Sequence, residues 1–436
     1  MPAKSPGQQA NNTSVNGVRA CRFVPGVSTP ASMPPGLVNQ PKAKPRPIRT
    51  AAPTSSSNEN TELQLRVLSG LSEAVSEHYV YPDFRGHDWK AMTARYRSKI
   101  QAGMNDSDFY EAMQALVSEL GDEHSYFQSP AQVKAEESAL ASQYNFVGIG
   151  ALFTPIAATD YAAVMSLFAD SPAAQAGLQV HDILLKVDGG SVRDESGKSR
   201  TLGPEGSNVK LTLQRPGKPP YDLILTRRQV TGQLPIDYCL VPRTRVGYIF
   251  LPTLLDKTMA AQVSEALRKM TAEGPLQGLI LDNRMNGGGL GSQAKAIMSL
   301  VAGGVPGYFV SRTSREPLQL NPEDIGGSQK LPQVVLVDTT TVSFGEIMSG
   351  VLRHSGRARI VGARTPSHVE QLRPYKYPDG SRAWLASDTF EPQGMTKNIW
   401  EYTGIVPDVP LPTRWDLFTE ANDPGLAKGV ELLMKK

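Results

Sequence analysis

The stretch VSFGEIM (Val342 to Met348) follows the apolar run QVVLVDTTT and leads into a helical pattern, so one serine sits where a buried strand ends and a helix begins. A hydroxyl is a poor nucleophile at neutral pH, so Ser343 does chemistry only if a base elsewhere in the chain takes its proton. Without one it is a helix cap, the commoner use of a serine in that place. A second chemistry-bearing segment, GLILDNRMNGGGLGS, ends an apolar strand in a run of glycines. It lacks the Lys-Ser/Thr of a phosphate-binding P-loop and the spacing of GxGxxG, which weighs against a nucleotide. The six histidines (His78, His87, His124, His181, His354, His368) contain no H-x-x-x-H pair, so neither metal catalysis nor a cofactor is expected.

These segments need a scaffold. A chain of 436 residues is long enough for two or three domains. Residues 61–140 read as a small helical domain, with Val67, Leu71 and Val75 on one face and Phe109, Met113, Leu116 and Leu120 on another. Residues 141–230 switch to short β-like runs separated by Gly, Pro, Asp and Asn, the pattern of a compact β module. Residues 231–436 alternate strands such as RVGYIFLP and QGLILDNR with helical stretches such as DKTMAAQVSEALRKMTAEG, which signals an α/β layered domain. The expected fold class is therefore multi-domain α/β.

The β module gives the first resemblance. FVGIGALF, DSPAAQAGLQVHDILLKVDGGSV and LGPEGSNVKLTLQR together resemble a PDZ domain of the kind inside C-terminal processing proteases. The resemblance implies that Val147, Gly148, Ile149 and Gly150 line a peptide groove. There, converging backbone N–H groups would hold a terminal carboxylate while an edge strand adds the peptide by β-augmentation. His181 departs from the glycine usual before D-x-I and is expected to strain a turn. The likeness extends over most of residues 61–410 and implies an α/β core of the crotonase-like, ClpP-like layered type. In the best-known branch of this family of tail-specific proteases a lysine activates the serine, but here GARTPSHVEQ places His368 at that position.

A second branch, the tricorn-like proteases, uses a histidine from a segment resembling L-G-x-x-H-S and a glutamate from one resembling E-x-x-G-V-x-P-D. LGDEHSYF supplies His124 and WEYTGIVPDV supplies Glu401. The resemblance thus implies a serine peptidase in which His124 takes the proton of Ser343 and Glu401 steadies the imidazolium. It also implies an oxyanion hole from the backbone N–H groups of Gly288, with Gly287 as second choice, and of Phe344. Glu346, three residues after Ser343, fits a capping box, and Asp282 and Arg284 fit braces for the glycine loop. Two alternatives stay open: the same serine driven by His368 or a lysine, and an inactive relative that binds peptides or hydrophobic ligands.

Composition narrows the partners. No apolar run approaches the roughly 18–20 residues of a membrane-spanning helix. The net charge of +3 hides a basic segment, for residues 1–60 carry seven Lys or Arg against Glu59, leaving the remainder at −3. A mildly acidic folded part weighs against nucleic acid and for polypeptide substrates, recognised through a free C-terminus if the PDZ likeness holds. Residues 1–60, rich in Pro, Ser, Ala and Asn, are expected to be a disordered tail, a linker or a transit segment, with no secretory h-region visible. That reading leaves the compartment open: cytoplasmic as read, extracytoplasmic or organellar if the basic segment is a linker or transit segment. Cys21 and Cys239 are expected to form no disulfide framework and match no metal-ligand spacing.

Overall fold

The computed structural model describes residues 17–25, 58–122, 124–142, 145–156, 159–194, 197–395, 399–411 and 414–435. The expected tail 1–60 falls mostly outside these.

The scaffold of the site is a six-stranded sheet, in spatial order Val409–Pro410, Ala358–Gly362, Gln333–Val337, Gly278–Asp282, Val246–Phe250 and Asp237–Leu240. Neighbours pair in parallel except at the last strand, which is antiparallel. Gly278–Asp282 and Gln333–Val337 are buried at every position, as expected of parallel strands covered on both faces. Helices Met259–Thr271, Gly291–Ser299 and Phe344–His354 share one apolar core with the strands' inward residues. Helix Pro424–Met434 packs on the other face through Leu426 and Val430.

The β module folds as a five-stranded antiparallel sheet from Ala151–Pro155 to Tyr221–Thr226, with a two-stranded ribbon of Asn145–Gly148 and Arg228–Thr231 beside it. Its core, from Ile149 to Leu225, is a cluster of its own.

The helical segment is less independent than its sequence suggests. Helices Asn58–His78, Trp89–Gln101 and Asp106–Ser118 begin with ordinary punctuation: Asp88 and Asn105 accept the N–H of Ala91 and Asp108. Their core, however, is closed by Tyr377, Ala383, Leu385 and Ala386 from the ribbon Gln371–Lys376 and Arg382–Pro392. Strand Tyr126–Gln128 then pairs antiparallel with Arg382–Trp384. This pairing carries His124, two residues before the strand, to the α/β core.

Two expectations about the N-terminus need correction. Val18, Cys21 and Phe23 are buried, and Ala20 forms a parallel bridge with Leu240, so residues 17–25 extend the edge of the six-stranded sheet. Cys21 and Cys239 form a disulfide across 218 residues. The segment holds through backbone pairing and through Arg19, which bonds Asp237 and Glu420. These are tertiary contacts that a basic, proline-flanked composition does not announce.

Candidate active site

Strand Gln333–Val337 ends in a tight turn, where Asp338 accepts the N–H groups of Thr340 and Thr341 at 2.8 and 3.1 Å. Ser343 follows with φ +56° and ψ −129°, a conformation costly for a residue with a Cβ. Its side chain makes no capping bond to helix Phe344–His354, so the bland use of the serine as a cap is not taken up. Such a strained strand-to-helix turn is the kind of corner that carries the nucleophile in α/β-hydrolases.

The glycine loop fits against this corner. A Cβ on Gly288, which has φ +85°, would lie 2.7 Å from Ser343 Cβ and 3.1 Å from its Oγ. Asn286 accepts the N–H of Val342 on its carbonyl, and Asn283 donates to Gly345 O and Ser349 Oγ at 2.7 and 2.8 Å. The two glycines expected as oxyanion donors differ in their engagement. Gly288 spends its N–H on Asn286 Oδ1 at 3.0 Å, whereas the N–H groups of Gly287 and Phe344 meet no acceptor among the described residues. Below the loop, buried Arg284 is clamped between Asp282 and Asp423, the bracing role its position suggested.

His124 stands at the other side. Asp122 accepts the N–H of His124 and of Ser125 at 2.9 and 2.8 Å, and Ser125 Oγ accepts the N–H of Ala386, tying the loop to the core ribbon. His124 Nε2 lies 2.7 Å from Glu401 Oε1, although the two are 277 residues apart. Glu401 is held in turn: its Oε2 accepts the N–H of Val369, and neighbouring Trp400 stacks on Phe390. With Nε2 donating to Glu401, Nδ1 is the nitrogen left to accept a proton.

A second carboxylate, missed in the sequence, faces the same nitrogen. Glu370 Oε2 is 3.6 Å from His124 Nε2 and makes no hydrogen bond, while Tyr81 donates its hydroxyl to Glu370 Oε1. Burial, and then the charge of Glu401, push the Glu370 carboxyl up to about 7. Burial works against protonating His124, but Glu401, Glu370 and Asp122 outweigh it and raise the imidazole above its ordinary value. His124, Glu370 and Glu401 place their ligand atoms within 4.8 Å of one another.

No hydrogen bond joins Ser343 Oγ to His124 among the described residues; the link between the halves is His368. Its carbonyl accepts the N–H of Ser343 at 2.7 Å, and its ring meets that of His124 edge-on with centroids 4.6 Å apart. Glu346 fixes this segment rather than closing a capping box: it accepts the N–H groups of Ser367 and His368 and the hydroxyl of Thr365.

In the β module the carbonyls of Val147, Ile149 and Gly150 accept N–H groups of Gly203, Ala173 and Phe168, while the N–H groups of Ile149 and Gly150 find no acceptor among the described residues. A Cβ on Gly150 would lie 2.2 Å from that of Ser171, so the close approach requires glycine. His181 has the expected left-handed backbone, φ +76°, and is buried against Trp415 with Nδ1 3.0 Å from its carbonyl. Burial lowers its imidazole to about 4.

With this geometry established, comparison with known proteins decides the family. Residues 245–411 match peptidase family S41, residues 70–118 the tricorn protease C1 domain, and residues 164–215 a PDZ domain. Residues 245–411 are thus a peptidase domain of family S41, and the chain is a serine-type peptidase. It is 26% identical over 384 residues to carboxyl-terminal-processing peptidase 3, chloroplastic, of Arabidopsis thaliana, covering 84% of this chain and 72% of that protein. It is 28% identical over 300 residues to a carboxyl-terminal-processing protease of Synechocystis sp., covering 67% of this chain and 68% of that one. The solved photosystem II D1 C-terminal processing protease superposes with a TM-score of 0.54 at 25% identity, over 80% of this chain and 92% of the other. No helix among the described residues is long and apolar enough to cross a membrane.

Proposed function

We propose that this S41 peptidase cleaves polypeptides near their C-termini through an acyl-enzyme on Ser343, with His124 as base, Glu401 as its carboxylate partner, and the N–H groups of Gly287 and Phe344 as oxyanion donors. The observation that carries the reading is the 2.7 Å contact between His124 Nε2 and Glu401 Oε1, made by residues from opposite ends of the chain beside the strained serine turn. His124 Nδ1 takes the proton of Ser343 as the hydroxyl attacks the scissile carbonyl, and returns it to the leaving amine. Glu401 keeps the proton on Nε2 and stabilises the imidazolium without being protonated itself. Closure of the gap between Ser343 and His124 accompanies substrate binding, since catalytic hydrogen bonds commonly tighten only in the substrate complex. The cradle at Val147 to Gly150 holds the substrate's terminal carboxylate, a role supported by the two unengaged N–H groups there.

A second reading makes His368 the base, favoured by its direct bond to the Ser343 backbone. The test is peptide hydrolysis by His124→Ala and His368→Ala measured side by side. A loss on the order of 10³–10⁶ in kcat/KM for His124→Ala, with a much smaller loss for His368→Ala, supports the first reading. The reverse order overturns it. For the cradle, a peptide with a free C-terminus should bind more tightly than its C-terminal amide, and equal affinities would rule out carboxylate capture.

A further inference from the structure

The carboxylates around His124 are more than a triad requires. One steadies the imidazole; the other, Glu370, is buried, has one oxygen on Tyr81 and aims the other, without a hydrogen bond, at the same nitrogen. A buried acceptor normally finds a donor, so an oxygen left this way calls for an occupant. One imidazole and two carboxylates converging from the segments 120–124, 368–370 and 399–403 form a three-donor set suited to a divalent ion of borderline hardness.

We infer that His124, Glu370 and Glu401 form an inhibitory zinc site, in which Zn²⁺ replaces the proton shared between His124 and Glu401.

Zinc bonds of about 2.0–2.1 Å to nitrogen and oxygen put tetrahedral ligand atoms roughly 3.3 Å apart. The observed separations from His124 Nε2, 2.7 Å to Glu401 and 3.6 Å to Glu370, bracket that figure. All three donor atoms already lie within 4.8 Å of one another, so the two contacts of His124 need shifts of some tenths of an ångström and the two carboxylates must close by at most about 1.5 Å. Two carboxylates with a neutral imidazole match the dication's charge. A cavity of about 230 Å³ lined by His124, Glu401, His368 and Arg85, beside exposed Tyr402, gives access to two of the three ligands, with buried Glu370 behind them. Water or the neighbouring His368 ring would complete the tetrahedron. With Nε2 on the metal, the proton it carried moves to Nδ1, so the bound imidazole stays neutral but has no lone pair left to accept the proton of Ser343, and Glu401 no longer stabilises its cationic form. Metal binding itself does not depend on the proposed mechanism; the inhibition does, because it rests on His124 being the base.

The test is calorimetric titration of Zn²⁺ into the full chain carrying Ser343→Ala, which leaves every ligand in place. One ion per chain at micromolar affinity is expected, weakened at least tenfold by added Glu370→Gln and abolished by added His124→Ala, with Mg²⁺ not competing. Two variants guard against a misfolded one, and circular dichroism checks both. Absence of a one-to-one site, or a site indifferent to both substitutions, overturns the inference and leaves the triad untouched. Zinc bound there should also inhibit peptide hydrolysis by the unmodified protein, reversibly with chelator. Binding that both substitutions weaken, but without inhibition, supports the site while counting against His124 as base.

Discussion

The two halves of the proposed active site are built differently. The nucleophile half lies within the α/β core and is made of backbone: a strained serine, glycines that touch it, and two asparagines that lock the loops together. The base half is made of charged side chains brought from three distant segments and docked through a three-residue strand. The first owes its geometry to steric fit, which tolerates no added atom. The second owes it to charge balance and to domain docking, which yield gradually.

Substitutions should expose that difference. Ser343→Ala removes the proposed nucleophile, and Gly288→Val puts a Cβ 2.7 Å from that of Ser343 at a φ of +85°; each should lower kcat/KM by on the order of 10⁴ or more. In both variants the His124 titration, followed by NMR in the presence of chelator, should stay raised, because the base half is untouched. A collapse of that titration in Gly288→Val would mean that the halves are one cooperative unit.

Glu401→Gln keeps the shape and much of the hydrogen bonding but removes the charge, so a loss on the order of 10²–10⁴ is expected, smaller than that of Ser343→Ala. Smaller again is Asp122→Ala. It frees the N–H groups of His124 and Ser125 and leaves the base loosely aimed, which should cost about tenfold in kcat with little change in KM. An effect on KM alone would place Asp122 in substrate binding instead.

How far each half could be read from sequence follows the same division. The serine turn and the glycine run are local: a strand pattern, a Ser and a helix pattern in succession leave few geometries, and NGGG permits a backbone only glycine adopts. Which glycine N–H stays unengaged was not legible, because the Asn286 side chain, not the backbone pattern, decides that the N–H of Gly288 is spent. His124 and Glu401 were legible only through their flanks: Gly404, φ +59°, whose Cβ would lie 2.1 Å from Thr365 O, and Trp400 on Phe390 are what hold Glu401 in place. Glu370 and Tyr81 carried no signal, since a glutamate two residues after His368 reads as a solvated strand acid until the fold buries it. The segment 17–25 failed for the same reason: its partners, Leu240 and Cys239, lie more than two hundred residues away.

The smallest effect is the most specific to the base half. Glu370 and Glu401 both favour the protonated imidazole, and only the neutral form can accept the proton of Ser343. In chelator, kcat/KM of the wild type should therefore rise with pH through a midpoint above histidine's ordinary ~6.5. Glu370→Gln removes one of the two charges, so the midpoint should move down by up to about one unit and the variant should be relatively more active in acid. The same group leaves a mark on stability. Its carboxyl titrates at about 7 in the folded chain and near 4.3 unfolded, so between those values the native state holds the extra proton. Stability then falls as pH rises through that window, because the unfolded state is the one that releases the proton more readily. Glu370→Gln cannot ionise, so its melting temperature should fall less steeply than the wild type's between about pH 4.5 and 7. Parallel melting curves together with an unmoved kinetic midpoint would mean that Glu370 is not coupled to His124, and that the base half rests on Glu401 alone.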